Sequence, residues 1–156
     1  MNLEQYYKIA KNIAAQGLKK NHNNKTLALN YIRINYSKTI LGKSCKVGKL
    51  TKNEISTLST LSEDIKLSID TMVKNLIHHT ELILDDYLSI GYYIKNAEYI
   101  LHSSDKNLIY FKTGDKIYQI VVKTTKDKKE NFLTTFHKSS VQQLEKGLKR
   151  YGQIKR

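Results

Sequence analysis

The chain has 156 residues, 40% of them apolar, and its 27 Lys and Arg outnumber 14 Asp and Glu to give a formal net charge of +13. That apolar share excludes a disordered chain and suits one ordinary domain, or a small domain with an N-terminal extension. The single cysteine, Cys45, excludes an intrachain disulfide, and the excess of cations makes a polyanion the expected partner, nucleic acid ahead of an anionic membrane surface.

Residues 3–20 place Leu3, Tyr6, Tyr7, Ile9, Ala10, Ile13 and Ala14 near helical spacing and predict a first helix. The same run has an early acid and lacks the apolar core of a signal peptide. After the polar break "KKNHNNK", residues 25–41 predict a second helix. "GKSCKVGK", 42–49, reads as a basic loop, without the residue order of a phosphate-binding loop. "TKNE", Thr51 to Glu54, has the spacing of a capping box and opens a short helix. Ser68 can cap a helix over 68–79, where Met72, Val73, Leu76 and Ile77 form a stripe. Asp85 and Asp86 suit the start of a helix running to about 95.

The period then changes. "EYILHS", "LIYFK", "KIYQIVVKTT" and "NFLTTFHK" are β-rich, and "TGDK", 113–116, is a hairpin turn. "SSVQQLEKGLKRYG" closes the chain as a basic helix. The expected fold is α+β: N-terminal helices, then a four-stranded antiparallel meander sheet over 98–138, then a C-terminal helix. Residues 1–60 form a basic helical extension and 61–156 the main domain. Charge follows this division. Residues 1–60 carry 11 cations and 2 acids, 61–105 carry 3 and 8, and 106–156 carry 13 and 4.

Alternation along the last two strands puts Gln119, Val121, Lys123 and Thr125 on one face of the third. Asn131, Leu133, Thr135 and His137 share one face of the fourth, with Phe132, Thr134 and Phe136 on the other. If the two strands pair, Lys123, Thr125, Thr135 and His137 share a polar face. A cation, hydroxyls and an imidazole suit a phosphodiester: Lys neutralises phosphate charge and His moves a proton. A solvated sheet face is the plain alternative. With one Cys and scattered His22, His102 and His137, no zinc ligand set is expected.

The segments "KLSIDTMVKNLIHHTELILDDYLSIGYYI" and "NLIYFKTGDKIYQIVVKTTKDKKENFLTTFHKSS" resemble the phage-associated nucleases of the BECR superfamily, which unites barnase, EndoU, colicin D-type and RelE-like RNases. The shared pattern runs from a Leu-Ser pair entering a helix, through a helix His and an acid and Tyr helix, to a hairpin with "Y-x-V-V-V-K-x-T" and a Thr/Ser-Phe-His/Arg ending. The resemblance covers residues 65–150. It places His79 on the helix histidine, Lys123 and Thr125 on the "K-x-T" pair, and Thr135 and His137 on the last strand. Thr80 stands where proline is usual, which leaves His78 beside His79 for the helix position.

The resemblance implies a metal-independent, cofactor-free endoribonuclease, toxin-like or phage-related. The 2′-hydroxyl would attack phosphorus to leave a 2′,3′-cyclic phosphate. His79, Lys123, Thr125, Thr135 and His137 are the expected catalytic set. Lys126, Lys128, Lys129 and Lys138 are the expected substrate-binding cations. The expected partners are RNA (a tRNA or an mRNA) and an acidic antitoxin or immunity protein. No stretch has the roughly 18 apolar residues of a spanning helix, and the expected location is cytoplasmic. The alternatives are a non-catalytic nucleic-acid-binding module and an interaction protein that binds an acidic antitoxin or immunity partner.

Overall fold

Capping side chains start most of the helices. Asn2 and Gln5 form a reciprocal capping box at the first, and Asn24, Ser37, Thr51, Ser68 and Ser140 each accept from a backbone N–H of the helix they open. The computed structural model describes residues 1–104 and 106–155. In chain order the elements are α1 (Leu3–Lys20), α2 (Lys25–Asn35), α3 (Lys38–Leu41), β1 (Ser44–Lys49), α4 (Lys52–Leu58), β2 (Asp64–Ser68), α5 (Ile69–His78), α6 (Leu84–Leu88), α7 (Ile90–Lys95), β3 (Tyr99–Ser104), β4 (Asn107–Lys112), β5 (Ile117–Thr124), β6 (Asn131–Ser139), α8 (Val141–Arg150) and β7 (Gly152–Gln153).

These elements form two compact units. One holds residues 1–45 and 67–88; the other holds 46–66 and the chain from 89 onward. Residues 1–60 therefore contribute to both.

The first unit is helical. Tyr6, Tyr7, Ala10, Ile13 and Ala14 bury one stripe of α1, and α5 buries Ile69, Met72, Val73 and Ile77. Gly17 lets α2 approach α1, because a Cβ there would lie 2.5 Å from Ile32 Cδ1. His22 and Asn23 reverse the chain between these helices with φ of 51° and 63°. Buried Asn75 donates to the Tyr87 hydroxyl at 2.8 Å, and burial pushes that phenol well above its ordinary range.

The second unit is built on the sheet. The expected four-stranded meander is overturned: the sheet has seven strands among the described residues, in the order β1-β2-β6-β5-β4-β3-β7. It is mixed, because β2 runs parallel to β6, with Ile65 opposite Asn131 and Lys66 opposite Phe132. The pairs β3–β4, β4–β5 and β5–β6 are antiparallel. "GKSCKVGK" was expected as a loop, yet its core is β1, where Val47 is buried. β2 is too short to show a period in the sequence, since "DIKLS" is only 5 residues long, although Ile65 and Leu67 are buried in alternation. The expected helix over 25–41 breaks at Tyr36, where Ser37 caps a new helix. The one expected from 85 to 95 is two helices, α6 and α7.

Both faces of this sheet carry helices. On one face Tyr110, Ile120, Val122 and Phe136 are buried. There the hydroxyl of Tyr110 donates to buried Glu54 of α4 at 2.5 Å, and Tyr93 of α7 stacks on Tyr118 with ring centroids 4.4 Å apart. On the other face α8 packs Leu144 against Leu101 and Phe111. Gly147 sets that approach, since a Cβ there would lie 2.8 Å from Leu101 Cδ1. α8 covers the face over β3 and β4.

Candidate functional site

The register of β5 and β6 decides which polar groups share the face that α8 packs on. Gln119 lies opposite His137, Val121 opposite Thr135 and Lys123 opposite Phe132. Lys123, Thr135 and His137 are thus on one face. Strict alternation fails on β6, however. The register slips between Val121 and Val122, and Val122 pairs with Leu133. Thr134 is the extra residue of a β-bulge, its hydroxyl donating to the Val121 carbonyl at 3.3 Å. The slip turns Asn131 and Leu133 into the buried face and brings Phe132 out beside Lys123, the reverse of their expected sides.

The shared face is long. Lys123 and Gln119 are four residues apart on one strand, which places the Lys123 and His137 ends about 13 Å apart at roughly 3.3 Å per residue. The two ends open into separate cavities. At one end, Lys106, Lys123, Thr125, Lys126 and Phe132 line a cavity of about 300 Å³. At the other, Gln119, His137, Gln143, Lys146, Arg150 and Tyr151 line one of about 310 Å³. Thr135 lies between them on the strand.

The His137 cavity has the composition of an anion site with a proton carrier. The His137 Nδ1 is 2.8 Å from the Lys138 carbonyl oxygen. A carbonyl only accepts, so Nδ1 carries the hydrogen and, in the neutral ring, Nε2 is the basic nitrogen. The Ser139 hydroxyl lies 2.6 Å from Gln143 Oε1 and 3.2 Å from Gln119 Oε1, linking the strand to α8. Lys146 and Arg150 stand one helical turn apart and so share a face of α8. The Arg150 guanidinium sits 5.4 Å from the Tyr151 ring centre.

Other expected site residues are placed differently. The Thr125 hydroxyl serves the β5–β6 turn: it donates to Asp127 Oδ1 at 2.7 Å and accepts from the Glu130 N–H at 3.2 Å. The hydrogen bond from Thr125 holds the Asp127 carboxyl below its ordinary value, with the Lys129 N–H helping. Lys128 donates its ammonium to the Leu58 carbonyl at 3.1 Å, with a left-handed backbone φ of 64°. Lys126 and Lys129 are exposed on the same turn. Lys138 is opposite Tyr118 and therefore on the other face of the sheet from Lys123. His79 belongs to the first unit, as the C-cap of α5, with its Nδ1 3.7 Å from Glu81. His78 is the last residue of the same helix.

Sequence reasoning missed Gln119, Gln143, Lys146, Arg150 and Tyr151 as site residues. The signal available was the spacing in "QQLEKGLKRYG", where Gln143, Lys146 and Arg150 recur at helical intervals around a glycine. Among the described residues no group of three His, Cys, Asp or Glu side chains could hold a metal ion. No helix among them is long and apolar enough to cross a membrane. Compared with protein-family models, curated proteins and solved structures, the chain matches none.

Proposed function

We propose that this chain is an endoribonuclease that works without a metal and holds the reacting phosphate in the His137 cavity. The observation that carries the reading is the juxtaposition of His137, with its Nδ1–H fixed on the Lys138 carbonyl, and the cations Lys146 and Arg150 around one cavity.

The chemistry needs three things of that cavity. The neutral Nε2 of His137 takes the proton of a ribose 2′-hydroxyl as its oxygen attacks the adjacent phosphorus. The new O2′–P bond forms as the P–O5′ bond breaks, leaving a 2′,3′-cyclic phosphate and a 5′-hydroxyl. The departing O5′ takes a proton from the Lys146 ammonium. Arg150, which does not give up its proton, balances the charge that gathers on the non-bridging oxygens. Farther along the face, Lys123, Lys126 and Lys106 hold flanking phosphates, with Phe132 between them for a base.

A second reading has its own observation. Lys123 and His137 stand too far apart to act on one phosphate, which fits a surface that binds RNA without cutting it. Incubation with RNA in EDTA separates the two. Fragments ending in 2′,3′-cyclic phosphate, lost in His137→Ala, support the nuclease. Salt-sensitive binding with intact RNA supports the binder.

A further inference from the structure

We infer that Tyr92, Tyr93 and Tyr118 form a platform that stacks a base of single-stranded RNA, on the face of the sheet opposite His137. This rests on RNA as the ligand but not on its cleavage. Tyr93 and Tyr118 are parallel to within 16°, with ring centroids 4.4 Å apart. Tyr92 stands nearly upright to Tyr93, at 69° and 6.2 Å, and is 61% exposed. The two rings stack on each other, so an outer face of that stack is the floor and Tyr92 the wall. Phe136, fully buried, backs both floor rings at 6.2 and 6.1 Å.

The charges around this notch select a neutral planar group. It opens into a cavity of about 320 Å³ that Lys112, Asp115 and Lys116 also line. Lys112 is paired with Glu98 at 3.0 Å, and the remaining charged lining residues, Asp115 and Lys116, are of opposite sign. A phosphate gains little there, whereas a base gains stacking area on phenol rings. Tyr118 and Gln119 are consecutive, so the notch and the His137 cavity lie at one level of the sheet on its two faces. The pair Ile117–Ser139 is the last of the β5–β6 ladder, one residue beyond Tyr118–Lys138. A single strand of RNA is flexible enough to turn over that end of the ladder from one site to the other; a rigid duplex does not bend so sharply.

The test uses the full chain and a 2′-O-methyl oligoadenylate, which cannot be cut by 2′-hydroxyl attack, beside an abasic oligomer with the same number of phosphates. Wild-type protein should prefer the oligoadenylate. Tyr92→Ala should weaken oligoadenylate binding about 5- to 150-fold and leave abasic binding unchanged. Tyr92→Phe should keep the preference, and the salt slope should stay as in wild type. Equal wild-type affinity for both oligomers overturns the platform. So does a Tyr92→Ala protein that keeps the preference or loses affinity for both oligomers alike. A protein that cuts RNA with no Tyr92 dependence sinks the platform alone. One that binds with Tyr92 dependence and cuts nothing sinks the nuclease alone.

Discussion

Asn131 donates its side-chain amide to the carbonyl of Ser62 at 2.8 Å, and so ties the start of β6 to the chain entering β2. The same amide reaches the Asp64 carbonyl at 3.0 Å, and its oxygen accepts from the Thr124 hydroxyl at 2.9 Å. Asn131 is fully buried. Its removal takes a donor from two carbonyls and an acceptor from a hydroxyl in a buried place, where lost hydrogen bonds cost energy. Asn131→Ala should therefore destabilise the protein by roughly 2–4 kcal/mol, read from urea denaturation. A loss below the error of that measurement would mean that water replaces the amide.

The two ends of the β5–β6 face should respond differently to truncation. His137→Ala should cut the cleavage rate by about 10²–10⁴ if the imidazole carries the proton. Lys123→Ala should act mainly through binding, lowering the salt slope of RNA affinity by about 1. Single-turnover rates at saturating RNA, set beside titrations at several salt concentrations, distinguish them. If Lys123→Ala lowered the saturated rate as much as His137→Ala, the reacting phosphate would belong nearer Lys123.

Lys128 offers a contrast with its neighbours on the turn. Its ammonium is held by the Leu58 carbonyl at the end of α4, while Lys129 is exposed. Lys128→Ala should cost about 1–2 kcal/mol of stability through that bond. Lys129→Ala should leave the melting temperature in place and reduce RNA affinity at low salt. Equal melting temperatures for the two variants would remove the structural role given to Lys128.

Acid should loosen the β4–β5 turn before it unfolds the molecule. Burial alone raises the Glu98 carboxyl, but the Thr113 N–H and the Lys112 ammonium outweigh it and leave the group below its ordinary value. The folded value lies under the unfolded one, so the stabilisation is complete above the unfolded value and is lost as pH falls through the folded one. Hydrogen exchange at the Thr113 amide should accelerate, relative to its intrinsic rate, over that descent. Glu98→Gln should abolish the step while leaving exchange in β5 as it was.

Strands that are long and apolar on one side were legible in the sequence, and those that depend on partners were not. "KIYQIVVKTT" alternates cleanly because Ile120 and Val122 are buried and Lys123 is exposed. β1 buries Val47 in a run that otherwise reads as basic loop, and β7 spans only 2 residues. Neither carries enough period to be seen alone. The bulge at Thr134 leaves no mark on composition, yet it decides the sides of Phe132 and Leu133. On the candidate site, alternation placed Lys123, Thr135 and His137 on one face. It could not place Lys146 and Arg150, which line a cavity with His137 from α8, a helix that Gly147 lets settle on Leu101.

The strand order also sets a timetable for making the protein. β2 lies between β1 and β6, and β6 is the last long strand of the chain. A ribosome releases β1 and β2 well before the segment 131–139 that completes their side of the sheet. Until then the inner edge of β2 has no neighbour, and the emerging chain carries an open row of backbone N–H and C=O groups. The long sequence separation between β2 and β6 slows their meeting further. Chains that stall before residue 131 should be the ones that aggregate or draw chaperones, and those that pass 139 should be released from both.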